Sequence, residues 1–383
     1  MEVFSKFGIV NWNIGGAKYL ELKAKDSPNL GGRESRDEFR EKLNEEIWYL
    51  LQRHKPAIMT MQEVVAYSAG GDESEAEHVV KTPDGYHYFP LWLIDTKRHS
   101  HQGKWNKVRR LGEWPRDAYF AQGNAILVDK RVPWVHIFGL PPLGVPATEF
   151  PSSGLVEAVK LESGLYFGDR NSEPRAALVA HLALNELQDD GNRGAVKLSK
   201  PLDIFVINLH LTTLIMEREG VPAIDEEAVQ IRLRQLDIVL GGIVSRYNRW
   251  RREGYPVRDL DPAKAAAARQ VTKDDRHPPL WIIAGDFNFT PESVEYTTLV
   301  RNGFIDLIPP SDRPSNRMGT KASGLGNRPT LTVDYVFAGP RFEAIDPRVA
   351  EEGIRPNHVE FNEKTRISDH FPLIIDVPIA LEW

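Results

Sequence analysis

Short runs of apolar residues recur along the whole chain, and polar or glycine-rich segments separate them. Most of these runs have the length of a single β-strand. The first run, residues 7–14, ends at Gly15 and Gly16, which is typical of a strand that enters a loop. Runs of this kind predict strands at residues 7–14, 57–61, 86–94, 118–128, 155–167, 176–184, 202–211, 280–284, 331–337 and 373–377.

Helical spacing of apolar residues is confined to a few segments. Residues 35–38 form a capping-box pattern before such a segment, and Pro56 ends the predicted helix. A long helix is predicted over residues 225–250 from a stripe that consists of Val229, Leu233, Leu236, Leu240, Ile243 and Tyr247. Thr290 followed by Pro291 predicts the N-cap of a further helix. Many strands with few helices indicate an α/β protein that has more sheet than helix.

Three polar segments interrupt the predicted elements, at residues 96–116, 186–200 and 250–279. Candidate site residues lie on both sides of each segment, so none of the three separates two self-sufficient cores. We therefore interpret residues 1–383 as one domain with three insertions.

Composition narrows the possible functions. Lys and Arg number 48 and Asp and Glu 54, which gives a net charge of −6, and 41% of residues are hydrophobic, as in a globular protein. The chain has no cysteine, which excludes disulfides, a thiol nucleophile and cysteine-ligated zinc or iron–sulfur sites. No apolar run could span a bilayer, and the N-terminal segment is too short and polar for a signal peptide. We expect a cytoplasmic protein, and no feature indicates a protein partner.

Polar residues capable of catalysis or metal binding stand repeatedly at strand ends, where a rigid sheet can hold them in fixed geometry. These residues are Asn13, Glu63, His210, Asp286, Asn288, Asp334, Asp369 and His370. A single Asp at a strand end is more often a turn residue, and a single His on an apolar strand more often belongs to the core. Recurrence at the ends of several strands favours a functional site.

The residue types also form a coherent chemical set. Carboxylates and amide oxygens without cysteine suit a hard cation, Mg²⁺ or Mn²⁺, better than zinc. Two histidines and further aspartates then remain for proton transfer and for orienting water. The set predicts metal-dependent hydrolysis of a phosphate ester.

The order of the motifs NWNIGG, MQEV, GNAIL, NLHL, GDFN, VDYVF and SDHFPL resembles the endonuclease/exonuclease/phosphatase superfamily, which has the DNase I-like fold. The resemblance extends over residues 7–377. It implies a four-layer α/β sandwich, in which two packed, mostly antiparallel sheets are flanked by helices and the site lies at one end of the sheets.

The resemblance also implies a metal site. Glu63 would be the principal metal ligand, with Asn13 and Asp369 at or near the metal. Asn124, in the GNAIL motif, would lie on a strand that passes under the site. Arg175 is a candidate phosphate contact, with a structural salt bridge as the alternative.

For the catalytic groups, the resemblance implies that Asp286 orients or deprotonates the attacking water and that Asn288 holds the phosphate. His370, oriented by Asp334, would contact the scissile phosphate or act as acid–base. His210 would stabilise the transition state or protonate the leaving oxygen.

Three positions depart from the superfamily's patterns. Gly15 stands where the abasic-site endonucleases carry an acidic metal ligand. Glu63 is followed by Val64, as in the phosphodiesterase and deadenylase branches, and both features argue against a base-excision role. Gln122 stands where several branches place a Glu that can orient the second histidine.

Two segments rich in Arg and aromatic residues, 97–116 and 246–258, indicate a nucleic-acid surface or, alternatively, solvated loops. In the first segment, Trp105, Arg109 and Arg110 are the predicted substrate-binding residues. Three hypotheses follow. The first is a nuclease acting on DNA or RNA, the second a phosphatase or phospholipase-type enzyme on a lipid or inositol phosphate, and the third an inactive binding module.

Overall fold

The fold is described from a computed structural model of the chain. The structure describes residues 5–15, 36–68, 77–95, 119–132, 156–165, 172–173, 175–188, 195–212, 222–253, 279–308, 321–322, 329–339, 358–359, 367–368 and 370–379. Two of the predicted insertions, residues 96–116 and 250–279, therefore lie wholly or largely outside the described residues.

The described elements are mostly strands. The strands are β1 (Ser5–Asn13), β2 (Ile58–Ser68), β3 (Glu77–His78), β4 (Tyr86–Asp95), β5 (Tyr119–Asp129), β6 (Val156–Lys160), β7 (Gly164–Leu165), β8 (Ser172–Glu173), β9 (Ala176–Gln188), β10 (Ala195–His210), β11 (Leu280–Asp286), β12 (Ile305–Asp306), β13 (Lys321–Ala322), β14 (Pro329–Leu331), β15 (Asp334–Gly339), β16 (His358–Val359) and β17 (Leu373–Ile379). The helices are α1 (Arg36–His54), α2 (Pro222–Asp237), a π-helix (Ile238–Ser245), α3 (Arg246–Glu253) and α4 (Val294–Arg301).

Two mixed sheets form the centre of the fold. The first has the order β16-β17-β1-β2-β5-β4, with β3 paired to β2, and the second has the order β12-β15-β11-β10-β9-β6. Each sheet contains one parallel pair, β1–β2 in the first and β10–β11 in the second, while the other pairings are antiparallel. A helical connection separates the strands of each parallel pair, as such a crossover requires.

Side chains alternate between the two faces of each strand, and this alternation builds three apolar layers. The middle layer lies between the sheets and joins residues such as Ile9 and Ile126 of the first sheet to Val206 and Ile282 of the second. The first sheet packs its outer face on α1, and the second packs its outer face on α2, the π-helix and α4. The result is the four-layer α/β sandwich that the resemblance implied.

The long helix differs from the prediction in its first half. Leu236, Leu240, Ile243 and Tyr247 are buried as expected. Val229 and Leu233, however, are only half-buried, and the buried positions are those of Arg232 and Gln235. The π-helix has a wider turn than an α-helix, so one α-helical period cannot describe the stripe along its whole length.

Two further predictions were wrong. Thr290 is not the N-cap of α4, because Ser293 fills that position and its hydroxyl accepts a hydrogen bond from the Tyr296 amide. Residues 186–200 are not an inserted loop, because their two ends belong to β9 and β10, which continue as one long hairpin. The polar residues there extend a hairpin rather than leave the sheet.

Two predicted strands are interrupted. The run at 155–167 contains the separate strands β6 and β7, and the run at 331–337 contains the end of β14 and most of β15. Helix α1 begins at Arg36, as the capping-box pattern predicted, but Ser35 lies outside the described residues. Among the helices that the structure describes, none has the length and apolar character needed to cross a membrane.

Candidate active site

The candidate active site lies where the same faces of the two sheets change from apolar to polar side chains. Along β1 the inward positions run from Ile9 through Asn11 to Asn13, and along β10 from Val206 through Asn208 to His210. An apolar layer, an amide layer and a layer of candidate catalytic groups therefore follow one another toward one end of the sandwich.

Three neighbouring strands of the second sheet place three site residues in one row. His210 on β10 pairs with Asp286 on β11, and Asp286 pairs with Asp334 on β15. All three side chains are buried. A row across three strands is a rigid frame, because the backbone hydrogen bonds of the sheet fix its spacing.

His370 completes the row from the segment that precedes β17. Its Nδ1 lies 2.8 Å from Oδ2 of Asp334, which is the contact that the sequence predicted for this pair. A carboxylate only accepts hydrogen bonds, so Nδ1 carries the proton and Nε2 is directed elsewhere. Nε2 of His370 lies 3.7 Å from Oδ2 of Asp286, and Nε2 of His210 lies 3.7 Å from the same oxygen.

Asn13 connects the two sheets within the site. Its Nδ2 donates to Oδ2 of Asp286 at 2.9 Å and to Oε1 of Glu63 at 3.2 Å. Its Oδ1 accepts from the amide of Gly15 at 3.0 Å. The amide nitrogen of Asn13, rather than its oxygen, therefore faces the two carboxylates and holds them next to each other.

Glu63 occupies a strained position on a β-bulge. The register of β2 against β5 shifts between Met61 and Val64, and the backbone φ of Glu63 is +56°. An L-residue rarely adopts this left-handed conformation, and bulges often redirect a side chain next to an active site. Here the bulge allows both Gln62 and Glu63, which are consecutive, to contact polar groups of the site end.

The turn after β11 is fixed by its own side chains. Oδ1 of Asp286 accepts from the amide of Asn288 at 3.0 Å, and Nδ2 of Asn288 donates to the carbonyl of Leu211 at 3.2 Å. Asn288 has a φ of +52°, which Asn tolerates better than most residues. A Cβ on Gly285 would lie 2.0 Å from the carbonyl oxygen of Leu209, so the close approach of β10 and β11 requires glycine here.

The segment that carries His370 is attached to β1. The Ser368 hydroxyl donates to the carbonyl of Asn13 at 2.8 Å and accepts from the His370 amide at 3.1 Å. Nε1 of Trp12 donates to the carbonyl of His370 at 3.0 Å. A Cβ on Gly15, which has a φ of +62°, would lie 2.9 Å from the Ser368 hydroxyl oxygen, so an acidic side chain at position 15 does not fit.

Comparison with known proteins shows the family. Residues 10–370 match the family model described as Endonuclease/Exonuclease/phosphatase family. The chain belongs to this family. Members of the Endonuclease/Exonuclease/phosphatase family are phosphoester hydrolases, and they typically depend on a divalent metal ion.

Solved structures of similar fold include three from this comparison. The human Nocturnin catalytic domain with bound sulfate anion is 12% identical, with 99% of this chain and 97% of that chain covered and a TM-score of 0.44. A family protein from Bacteroides thetaiotaomicron is 13% identical, with 100% of both chains covered and a TM-score of 0.45. ANGEL2, a 2',3'-cyclic phosphatase, is 15% identical, with 100% and 98% covered and a TM-score of 0.43. A search of the curated proteins finds no match.

The family's typical dependence on a divalent metal makes the donor atoms of the site relevant. One group of metal-capable atoms belongs to Asp286, Asp334 and His370, within 4.8 Å of one another. Two of these residues, Asp334 and His370, already hydrogen-bond to each other. The half-buried carboxylate of Glu63, next to Asp286 through Asn13, has the oxygen donors that a hard cation prefers.

The structure places two of the other predicted residues near this end of the sheets. Asn124 is buried on the inward face of β5, and its Nδ2 lies 3.5 Å from the carbonyl of Ala176 in the second sheet. Arg175 directly precedes β9 and is buried as well. Its role as a phosphate contact stays a prediction. Trp105, Arg109, Arg110 and Asp369 lie outside the described residues.

Gln122, where several branches of the family place a Glu, lies on β5 opposite Val65 of β2 and is half-buried. Its suggested influence on the second histidine stays a prediction. Part of the second basic segment is not a binding surface: Tyr247 is buried and packs edge-on against Phe205 and Trp281.

Sequence reasoning missed a buried clamp behind His210. Thr212, two residues further on, donates its amide to Oε1 of Gln235 at 3.1 Å, and its carbonyl accepts from Nη1 of Arg232 at 3.3 Å. Nε of Arg232 also pairs with Oε1 of Glu295 at 2.8 Å. These contacts fix the end of β10 against α2 and α4. The only sequence signal was polar residues at buried helical positions, which read as a solvated face.

Proposed function

We propose that this protein hydrolyses phosphodiester bonds of DNA or RNA in a reaction that depends on Mg²⁺ or Mn²⁺. The observation that supports the proposal is the convergence of three carboxylates and two imidazoles at one end of the sandwich. They belong to Glu63, Asp286, Asp334, His210 and His370. Such a set combines oxygen ligands for a hard cation with groups that transfer protons.

The residues present fit a divalent cation. Glu63 would hold it, with Asp286 beside it, because Asn13 keeps these two carboxylates close together. Asp369 and the side-chain oxygen of Asn13 remain proposed further ligands. A bound divalent ion neutralises negative charge on phosphoryl oxygens and so favours attack by water.

Proton transfer falls to the histidines and Asp286. In neutral His370 the proton sits on Nδ1, facing Asp334, so Nε2 is the atom that accepts or returns a proton. Asp286 would orient the attacking water and accept its proton, since its Oδ2 faces both histidines. His210 would protonate the leaving oxygen or stabilise the transition state, and Asn288 would hold the phosphate.

The nucleic-acid part of the proposal is supported by the sequence of residues 97–116. This segment has seven Lys or Arg residues and two Trp residues against one acidic residue. Arginines neutralise backbone phosphates, and aromatic rings stack on bases. Arg109, Arg110 and Trp105 are the proposed contacts.

The test is hydrolysis of a substrate panel with Mg²⁺ or Mn²⁺ and with excess chelator. The panel contains single- and double-stranded DNA, RNA, phosphoinositides and sphingomyelin. We expect cleavage of at least one nucleic acid, which chelator abolishes. Glu63→Gln should lower the rate by about 100-fold or more, whereas Glu162→Gln, a control on a surface ion pair with Arg234, should not.

The panel also separates the alternatives. Cleavage of lipid phosphates alone would replace the nuclease proposal with a phospholipase-type activity, and binding without any hydrolysis would indicate an inactive module. For a nuclease, replacing Arg109 and Arg110 with Ala should flatten the log–log salt dependence of single-strand binding by about 0.7 per lost phosphate contact. Replacing Trp105 should weaken binding with little change in that slope.

A further inference from the structure

A layer of fully buried polar side chains lies between the two sheets, directly beneath the candidate active site. This amide layer consists of Asn11, Thr60, Gln62 and Asn208, each 0% exposed. Its members stand beside the candidate catalytic residues along the chain: two come two positions before Asn13 and His210, and one directly precedes Glu63. The proposed function does not use any of the four.

The amide layer joins the sheets by hydrogen bonds. Nε2 of Gln62 donates to Oδ1 of Asn11 at 3.0 Å and, across to the second sheet, to Oδ1 of Asn208 at 2.7 Å. Nδ2 of Asn208 donates back to the first sheet, to the carbonyls of Met61 at 3.0 Å and Ala125 at 2.8 Å. The polar contacts thus run in both directions between the sheets.

Asn11 adds a second crossing point. Its Nδ2 donates to the carbonyl of Gly285 at 3.2 Å, directly before Asp286, and its Oδ1 also accepts from the Thr60 hydroxyl at 2.7 Å. Each sheet is therefore attached to the other next to a candidate catalytic residue.

The orientation of the central amides is fixed by their protons. Gln62 and Asn208 each direct both amide protons at oxygen atoms. Turning either amide over would bring carbonyl oxygens against each other in a buried place, where nothing compensates the repulsion. The apolar layer beside them has no such directionality, since dispersion contacts tolerate small displacements of one sheet along the other.

The contacts with Met61 and Gln62 fix the strand immediately before the bulge at Glu63. A left-handed backbone persists only where its surroundings determine it strongly. Asn208 holds the carbonyl of Met61, and the side chain of Gln62 is held by both sheets. The bulge is thus referenced to the opposite sheet, which carries Asp286.

We propose that the amide layer positions Glu63. Gln62 and Asn208 hold the bulge so that the Glu63 carboxylate meets Asp286 across the gap between the sheets, and they act as positioning residues without contacting substrate. The kinetic consequence rests on the proposed function, whereas the structural consequence does not.

The test compares Gln62→Met with Val206→Ala. The first removes both donated hydrogen bonds at nearly constant volume. The second is a matched control, because Val206 is 0% exposed, lies in the apolar layer and stands two positions before Asn208 on the same face. Three quantities are measured: amide hydrogen exchange at Glu63 and Val64 without metal, Mn²⁺ affinity by calorimetry, and kcat and KM on bis(p-nitrophenyl) phosphate.

We expect Gln62→Met to speed exchange at Glu63 and Val64 by about tenfold or more relative to Val206→Ala. It should weaken Mn²⁺ affinity or lower kcat by about 10- to 100-fold, the usual effect of losing a group that orients a metal ligand. KM should change much less than kcat, because substrate contacts are untouched. If Gln62→Met does not fold, Gln62→Asn, whose amide is withdrawn by one methylene, is expected to show the same effects.

Equal exchange rates in Gln62→Met and Val206→Ala would overturn the proposal, as would wild-type exchange and Mn²⁺ affinity in Gln62→Met. Failure of the proposed function looks different. In that case the wild-type protein neither binds Mn²⁺ nor cleaves any phosphodiester, and the exchange comparison alone decides whether the amide layer holds the bulge.

Discussion

Replacing Asp334 with Asn isolates the charge that faces His370. The side chains are 1% and 4% exposed, so solvent cannot replace the lost charge. A hydrogen bond to a charged group contributes about 1.5–3 kcal/mol. A neutral partner keeps about half of that. Losing about 0.8–1.5 kcal/mol of stabilisation of the protonated imidazole corresponds to a fall in kcat of about 4- to 12-fold.

His370→Ala removes the proton-transfer group itself, and we expect a loss of about 100- to 10,000-fold. The double variant should lose little more than His370→Ala alone, because the carboxylate acts only through the imidazole. The assay is steady-state hydrolysis of a small phosphodiester with saturating Mn²⁺. Asp306→Asn is the control: this Asp is also buried and lies on β12, which pairs with β15, but it accepts from the Ile308 amide.

Strictly additive losses in the double variant would refute the pairing, since independent residues contribute independently. An equal loss in Asp306→Asn would also refute it, because the effect would then follow from burying an amide in this sheet. Thermal denaturation of all four variants shows whether each is folded at the assay temperature.

Three further predictions concern stability. Gly285→Ala should lower the free energy of unfolding by about 1–3 kcal/mol or more in a denaturant titration, because its Cβ would lie 2.0 Å from the Leu209 carbonyl oxygen. Arg232→Met should cost about 3–5 kcal/mol by leaving the Glu295 carboxylate buried without its cation, and replacing both by Met should recover most of the loss; an Arg232→Met protein of wild-type stability would contradict the burial of this pair. Burial lowers the pKa of His78, so the unfolded chain takes up this proton first, and wild-type stability should fall relative to His78→Gln as pH drops below about 6.5.

The sequence predicted strand positions and strand-end residues well, because both depend on local alternation. Asn13, His210 and Asp286 each end an apolar run, and a rigid strand end is visible without knowledge of its neighbours. The partner of a residue is another matter: the neighbours His210, Asp286 and Asp334 are far apart in the chain and meet only through sheet order.

The amide layer shows why the rest could not be predicted. In sequence, Asn11 and Asn208 are single polar residues inside apolar strands, and nothing local indicates that they meet across two sheets. The bulge at Glu63 gives no signal either, since no glycine marks it. The buried face of α2 was misjudged because Arg232 and Gln235 are buried through polar partners, which a hydrophobic stripe cannot reveal.

The position of β1 has a consequence for biosynthesis. This strand lies between β2, which follows it closely in the chain, and β17, which is made last. While a ribosome is still translating the middle of the chain, one edge of β1 has no final neighbour, and an open strand edge invites pairing with other chains. A product truncated before Leu373 would keep that open edge. Retaining β17 therefore guards the nascent protein against aggregation as well as completing the sheet.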